Sequence, residues 1–223
     1  MKLYSIQPID VWEALQQESV LIADPTLGEH VMMSDPKQDF FLKSYDWMRQ
    51  QMKLRLDNYR GNWPWWAWHT WMTLDDGTAI HKPDLRTIRW QHTPGQYVRL
   101  ELNIPDEQVL LSCFDGWHGP LNNHYLAWDE ADEESFDAQY DAIRPQKYTL
   151  RDVHEGNVPP LTEEQQIAFE SLQRRKEESW QRCFDLHWMR GSFYNGADMV
   201  QACFEELRLD QVVKCTIFEG ARI

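Results

Sequence analysis

Residues 97–104 read YVRLELNI, and their alternation decides the fold class. Val98, Leu100, Leu102 and Ile104 share one face of an extended chain, and Arg99, Glu101 and Asn103 share the other, the period of two that a strand requires. The spacing predicts a strand with the aliphatic residues inward and Arg99, Glu101 and Asn103 outward. Pro105-Asp106 then turns the chain into QVLLSCF, a second strand, and Pro120 marks the start of a short helix. Upstream, LYSIQ (3–7) reads as a short strand. Asp10 and Glu13 form an Asp-x-x-Glu capping pattern, with Ile9 and Ala14 as staple, for a helix over about 11–18.

The same arithmetic places the other elements. Phe41, Tyr45, Met48, Met52 and Leu56, spaced by four and three, make the apolar stripe of a helix, and the ordinary reading of that stripe is core. Asp76-Gly77 is a hairpin turn between two short strands. Asp129 to Asp141 is acidic, with Phe136, Tyr140 and Ile143 at helical spacing, which fits a surface helix or a loop insertion. Residues 145–160 read as loop, and Thr162 with Gln165 is a capping box opening a helix that reaches about Cys183. MVQACFEELRLDQVVKCTIFEG (199–220) reads as two strands joined at Asp210-Gln211. Strands, helices, then strands predict a single α+β domain over 1–223, with a central mixed or antiparallel sheet flanked by helices.

Composition limits the functions. Hydrophobic residues make up 42% and charged residues 26% of the chain, a globular balance. No window approaches the ~20 apolar residues of a membrane helix, and the start lacks a signal-peptide core, so the expectation is a cytoplasmic protein without membrane contact. The four cysteines, Cys113, Cys183, Cys203 and Cys215, form no CxxC pair and read as buried reduced thiols, with no metal expected. The net charge of −14 opposes broad nucleic-acid binding. Residues 1–100 carry 11 Lys+Arg against 12 Asp+Glu and the remainder 11 against 24, so the first part retains capacity for a phosphate-bearing ligand.

Candidate chemistry gathers in a few places. NWPWWAWHTW (62–71) places Trp66, Trp68 and Thr70 on one face of a strand and Trp65, Ala67, His69 and Trp71 on the other. One face must be core and the other covered or a cleft wall, with Trp66 and Trp68 expected at the cleft. In the late strand Glu206 extends the apolar face of Val200, Ala202 and Phe204. It is either a solvated strand end or a pocket carboxylate. FDGWHGPLNN places Asp115 and His118 at a strand-to-helix junction, where they serve as cap and satisfied histidine or as ligand contacts. Arg86 and Arg89 lie near the tryptophans and suit either a surface salt bridge or a phosphate. The usual dinucleotide, P-loop, serine-hydrolase and zincin signatures are absent.

Segments LYSIQPIDVWEALQQESVL, SYDWMRQQM, WAWHTW, KPDLR, LELNIPDEQVLLSCFDGWH and VQACFEELRLDQVVK together resemble a bacterial family, domain of unknown function 3841, over nearly the whole chain. A weaker resemblance covers about a quarter of it: the opening LYSIQPIDVWEALQQ and closing FEELRLDQVVKCTIF are similar in layout to ADP-ribosyltransferase-like domains. That resemblance implies NAD as cofactor and a late-strand glutamate, here Glu206 with Glu205 as fallback, at the nicotinamide ribose. The opening strand carries Tyr4-Ser5-Ile6-Gln7 where many members have His or Arg.

Two readings follow. In the first, the chain is a nucleotide-binding, ADP-ribosyltransferase-like enzyme or degenerate relative. Glu206 then stabilises a ribosyl cation, Arg86 holds a pyrophosphate, and Trp66 or Trp68 walls the base. In the second, a non-catalytic module uses a tryptophan-lined cleft for single-stranded nucleic acid or a small aromatic ligand, with Lys53, Arg55 and Arg60 along the backbone.

Overall fold

The computed structural model describes residues 1–24, 38–143, 158–191 and 198–221. The chain opens with β1 (Lys2–Pro8), α1 (Ile9–Glu18), β2 (Val20–Ile22) and α2 (Gln38–Arg55). The tryptophan strand β3 (Trp65–Thr70) is followed by the hairpin β4 (Met72–Thr73) and β5 (Ala79–Ile80), then α3 (Leu85–Ile88), β6 (Gly95–Asn103) and β7 (Leu110–Cys113). Four helices come next: α4 (Phe114–Leu121), α5 (Glu130–Ile143), α6 (Glu163–Ser179) and α7 (Leu186–Gly191). β8 (Val200–Phe204), β9 (Glu206–Arg208) and β10 (Val212–Gly220) close the chain.

Six strands form one sheet in the order β10-β6-β1-β3-β8-β7, and every neighbouring pair is antiparallel. The fold is α+β with an antiparallel central sheet. Register sorts the side chains. Leu3 stands opposite Leu102 and Ser5 opposite Leu100, and Ala67 pairs with Ala202, so these residues share one face. That face carries the main core, where Leu3, Val98, Leu100, Leu102, Ala202 and Phe204 pack with Leu15 of α1 and Leu207 of β9. On the opposite face Trp66 and Cys203, paired across β3 and β8, pack under Met48 and Met52 of α2 and Trp117 of α4. The sheet is therefore the middle of three layers.

This double coverage corrects one expectation. Arg99 and Glu101 do not face water; both are buried, because the chain after β5 crosses their face. Arg99 donates to the Pro83 carbonyl at 2.7 Å, and Glu101 receives Lys82 at 2.5 Å and Lys2 at 3.3 Å, with Arg99 at 3.9 Å. A buried carboxylate needs such partners. Burial raises the Glu101 pKa, but the Lys82 and Lys2 ammonium groups outweigh it and hold the carboxyl below its ordinary value of about 4.5. A depressed folded pKa contributes stability above about pH 4.5 that is lost as pH falls through the folded value. Urea denaturation across pH is expected to show Glu101→Gln less stable than wild type near neutrality. The deficit should shrink steadily below about pH 4.5, and a pH-independent deficit would contradict this account.

Other boundaries move for local reasons. Helix α1 starts at Ile9 behind Pro8, so Asp10 lies in its first turn, bonded to the Val11 N–H at 2.9 Å, rather than at the cap. Helix α4 starts at Phe114 with Cys113 as cap, and Pro120 lies in its last turn instead of its first. The Thr162–Gln165 capping box is present with both bonds made. Helix α6 ends at Ser179, and a 3-10 turn, Trp180–Phe184, carries the chain past Cys183. The acidic stretch is the helix α5, burying Phe136 and Ile143. Gly77, at φ +84, turns the predicted hairpin. The expected C-terminal strand pair is three strands: the chain bends at Glu205, and Glu206–Arg208 leave the main sheet to pair with β2. Met48 and Met52 are fully buried on α2, whereas the Phe41 side chain and the loop read over 145–160, as far as residue 157, lie outside the described residues. Three cysteines are buried and Cys215 is partly exposed, and none of the four is in a disulfide. Among the described residues no helix is long and apolar enough to cross a membrane.

Candidate functional site

Helix α4 begins where β7 ends, its first turn fixed by the Cys113 sulfur accepting the Gly116 N–H at 3.4 Å. Glycine at 116 permits a close approach: a Cβ there would sit 3.1 Å from the Cys183 Cβ and the Met189 methyl. One turn on, His118 donates its Nδ1–H to the Phe114 carbonyl at 3.0 Å, which leaves Nε2 as the unprotonated nitrogen of the neutral ring. Burial pushes the Asp115 carboxyl above its ordinary value, with His118 pulling the other way and Asp198 adding a smaller push.

Asp115 and His118 line a cavity of about 620 Å³ that continues past Asn122, Asn123 and His124 to the facing surfaces of α5 and α6. Tyr125 stacks on Phe136 at 4.1 Å, and Phe136, Tyr140 and Phe169 give the cavity an aromatic side. Asp132 fixes that wall. It accepts the Tyr125 hydroxyl at 2.9 Å, the Trp128 N–H at 2.9 Å, Arg175 at 2.7 Å and Arg182 at 3.3 Å. Arg182 also lies 4.1 Å over the Trp128 ring and donates to the Leu126 carbonyl.

The cavity's distinctive residue is Lys176, in the last turn of α6. It is 5% exposed, and its ammonium has no hydrogen-bond or ion-pair partner among the described residues. Burial pushes its pKa down, opposed only by Glu177. An ammonium largely withdrawn from water without a counterion is costly, which favours its neutral form or an anion beside it. Glu133 and Asp137 also line the space, giving it one buried cation and several hydroxyl acceptors.

Glu206 lines a different cavity of about 540 Å³, with Tyr59, Arg60, Glu205, Arg208 and Gln211 among its walls. Its carboxylate, 20% exposed, is held by Arg60 at 3.1 Å and Arg208 at 3.4 Å. Glu205 accepts the backbone N–H groups of Arg60 at 2.8 Å and Asn62 at 3.1 Å, tying the loop before β3 to the bend after β8. Arg86 is elsewhere: its side chain is 91% exposed and folds back onto Asp84 at 2.6 Å. Trp66 belongs to the second core, 5.1 Å from Trp117 and 6.0 Å from Tyr45. Trp68 packs 4.9 Å from Trp71 and 5.2 Å from Phe114, brought onto Trp71 by an irregularity between Trp68 and Thr70 that defeats strict alternation. Of Glu206, Arg86, Trp66 and Trp68, Glu206 alone lines one of the cavities described here.

Trp47, Trp63 and Trp180 border another cavity, of about 660 Å³, which shares Asn123 with the Lys176 cavity. Lys176 was legible in principle: Leu172, Lys176 and Ser179, spaced four and three, are the buried stripe of α6, and a lysine on such a stripe is a buried cation. Trp66 carries its own test, since its indole N–H is buried without a partner. Trp66→Phe, which removes that unsatisfied donor and keeps a ring, is expected to cost under about 1.5 kcal/mol, against roughly 3–5 kcal/mol for Trp66→Ala in urea denaturation. Equal losses would contradict the core placement.

Among the described residues no group of three or more His, Cys, Asp or Glu stands together as a metal site. The chain belongs to the family described as Domain of unknown function (DUF3841), whose model matches residues 2–213. No curated protein and no solved structure matches it. The likeness to ADP-ribosyltransferase-like domains gains no support from the family match.

Proposed function

We propose that this DUF3841 protein binds a small aromatic anion of the mononucleotide class in the cavity between α4, α5 and α6, with Lys176 pairing with its single phosphate. The observation that carries this reading is the largely buried Lys176, whose ammonium lies at a cavity wall without a hydrogen-bond or ion-pair partner among the described residues. A phosphate there would form a charge-assisted hydrogen bond in surroundings that screen it little. Phe136, Tyr140 and Phe169 suit the planar base, while Glu133 and Asp137 suit ribose hydroxyls, which donate to carboxylates. Those carboxylates and the net charge of −14 disfavour a polyphosphate. Asp115 and His118 line the same space.

In this reading Glu206 is an ion-pair partner of Arg60 and Arg208, so Glu206→Gln leaves ligand affinity unchanged. Thermal denaturation with AMP, ATP or benzoate added separately tests the reading and distinguishes phosphate from carboxylate. AMP at about 100 times Kd stabilises by about 2.7 kcal/mol, a rise in Tm of several degrees, with a smaller rise for ATP. Benzoate equalling AMP would make the ligand a carboxylate instead. No rise with any of the three, or the same rise in Lys176→Met, would refute it.

A further inference from the structure

We propose that Lys176 is also a carbonyl-reactive amine, which condenses with a small aromatic aldehyde admitted to its cavity to form a reversible imine. The inference rests on the reading that this cavity takes a small ligand, and deepens it by adding a covalent mode. Among the described lysines Lys176 is set apart by geometry. Lys2 and Lys82 pair with Glu101, and Lys43, Lys53 and Lys214 are exposed, whereas Lys176 is 5% exposed and lines a wall shared with Phe136, Tyr140 and Phe169. An amine held where its charged form is poorly solvated keeps more of the neutral, nucleophilic form than a surface lysine does, and burial acts on Lys176 in that direction. The aromatic walls accept the ring of the aldehyde and limit the water that would hydrolyse the product.

The step balances without an oxidant or reductant. The Lys176 nitrogen lone pair forms the N–C bond to the aldehyde carbon while the C=O π pair moves to oxygen. Transfer of one nitrogen proton to that oxygen gives the carbinolamine. The nitrogen pair then expels hydroxide, which takes the second nitrogen proton and leaves as water. Amine and aldehyde thus yield imine and one water.

The test uses the intact protein with benzaldehyde and then sodium borohydride, whose hydride, with a proton from water, reduces any imine to a stable N-benzyl amine located by peptide mass mapping. Label is expected to accumulate at Lys176 ahead of Lys53 and Lys214, to be lost from that position in Lys176→Arg, which keeps the cation but has no primary amine, and to be prevented by saturating AMP. Label spread over Lys53 and Lys214 with none at Lys176 overturns the proposal, even where AMP binding depends on Lys176. Label at Lys176 with no AMP binding supports the covalent chemistry and removes the mononucleotide reading instead.

Discussion

Lys176→Met is expected to raise Tm by roughly 4–8 °C while weakening the response to the ligand, the pairing of effects that marks a functional rather than a structural lysine. Methionine fills nearly the same volume with a flexible apolar chain, so the packing of α6 against α5 is kept. What disappears is the cost of holding an ammonium away from water, about 2 kcal/mol for a group of this burial. The gain depends on pH in a fixed direction. Because the folded pKa of Lys176 lies below its ordinary 10.5, the unfolded chain binds more protons between the two values, and wild-type stability rises with pH across that window. The advantage of Lys176→Met therefore shrinks as pH rises toward 10.5. A variant less stable than wild type at neutral pH would mean that Lys176 has a counterion and is part of the scaffold.

Asp132→Ala is expected to have the opposite sign and the larger size. Its carboxylate, 18% exposed, neutralises Arg175 and Arg182 and holds the Tyr125 hydroxyl and Trp128 N–H together. Burial alone would raise its pKa, but these donors overcome that and hold it below the ordinary carboxylate value. Truncation leaves two guanidinium groups against aromatic rings without their counter-charge, with Arg182 only 14% exposed. Breaking a buried pair from one side costs about 3–5 kcal/mol, and the partial exposure of Arg175 places this case near 3 kcal/mol. Urea denaturation should show that loss, with ligand affinity reduced as well, because Tyr125 lines the cavity. A loss under about 1 kcal/mol would class the cluster with ordinary surface ion pairs.

The sequence made the framework legible and the site only in part, for physical reasons. Alternation in YVRLELNI and the four-and-three stripe of α2 located elements that bury an apolar face, because periodicity reports burial directly. Periodicity could not say that the polar face of β6 is also covered, since Glu101 is buried with Lys82 and Lys2 and Arg99 with the Pro83 carbonyl, all distant in sequence. The tryptophans misled for a related reason: a buried indole and a cleft indole are the same residue type, and a one-residue irregularity moves Trp71 onto Trp68. Asp115 and His118, close together in the sequence, line one cavity. Their partner Lys176 comes from a helix more than fifty residues on and is visible only as a lysine in a hydrophobic stripe. Glu206 was expected on the apolar face of the main sheet, and the bend at Glu205, fixed by loop N–H groups from residues 60 and 62, takes it elsewhere.

The most direct measurement is calorimetric titration of AMP into wild type and Lys176→Met at one pH and salt concentration, after confirming that both are folded. The account predicts binding to wild type that weakens roughly 10- to 150-fold in the variant, the worth of one charged hydrogen bond of about 1.5–3 kcal/mol. Equal affinity in the two proteins, or no binding to wild type, would contradict it.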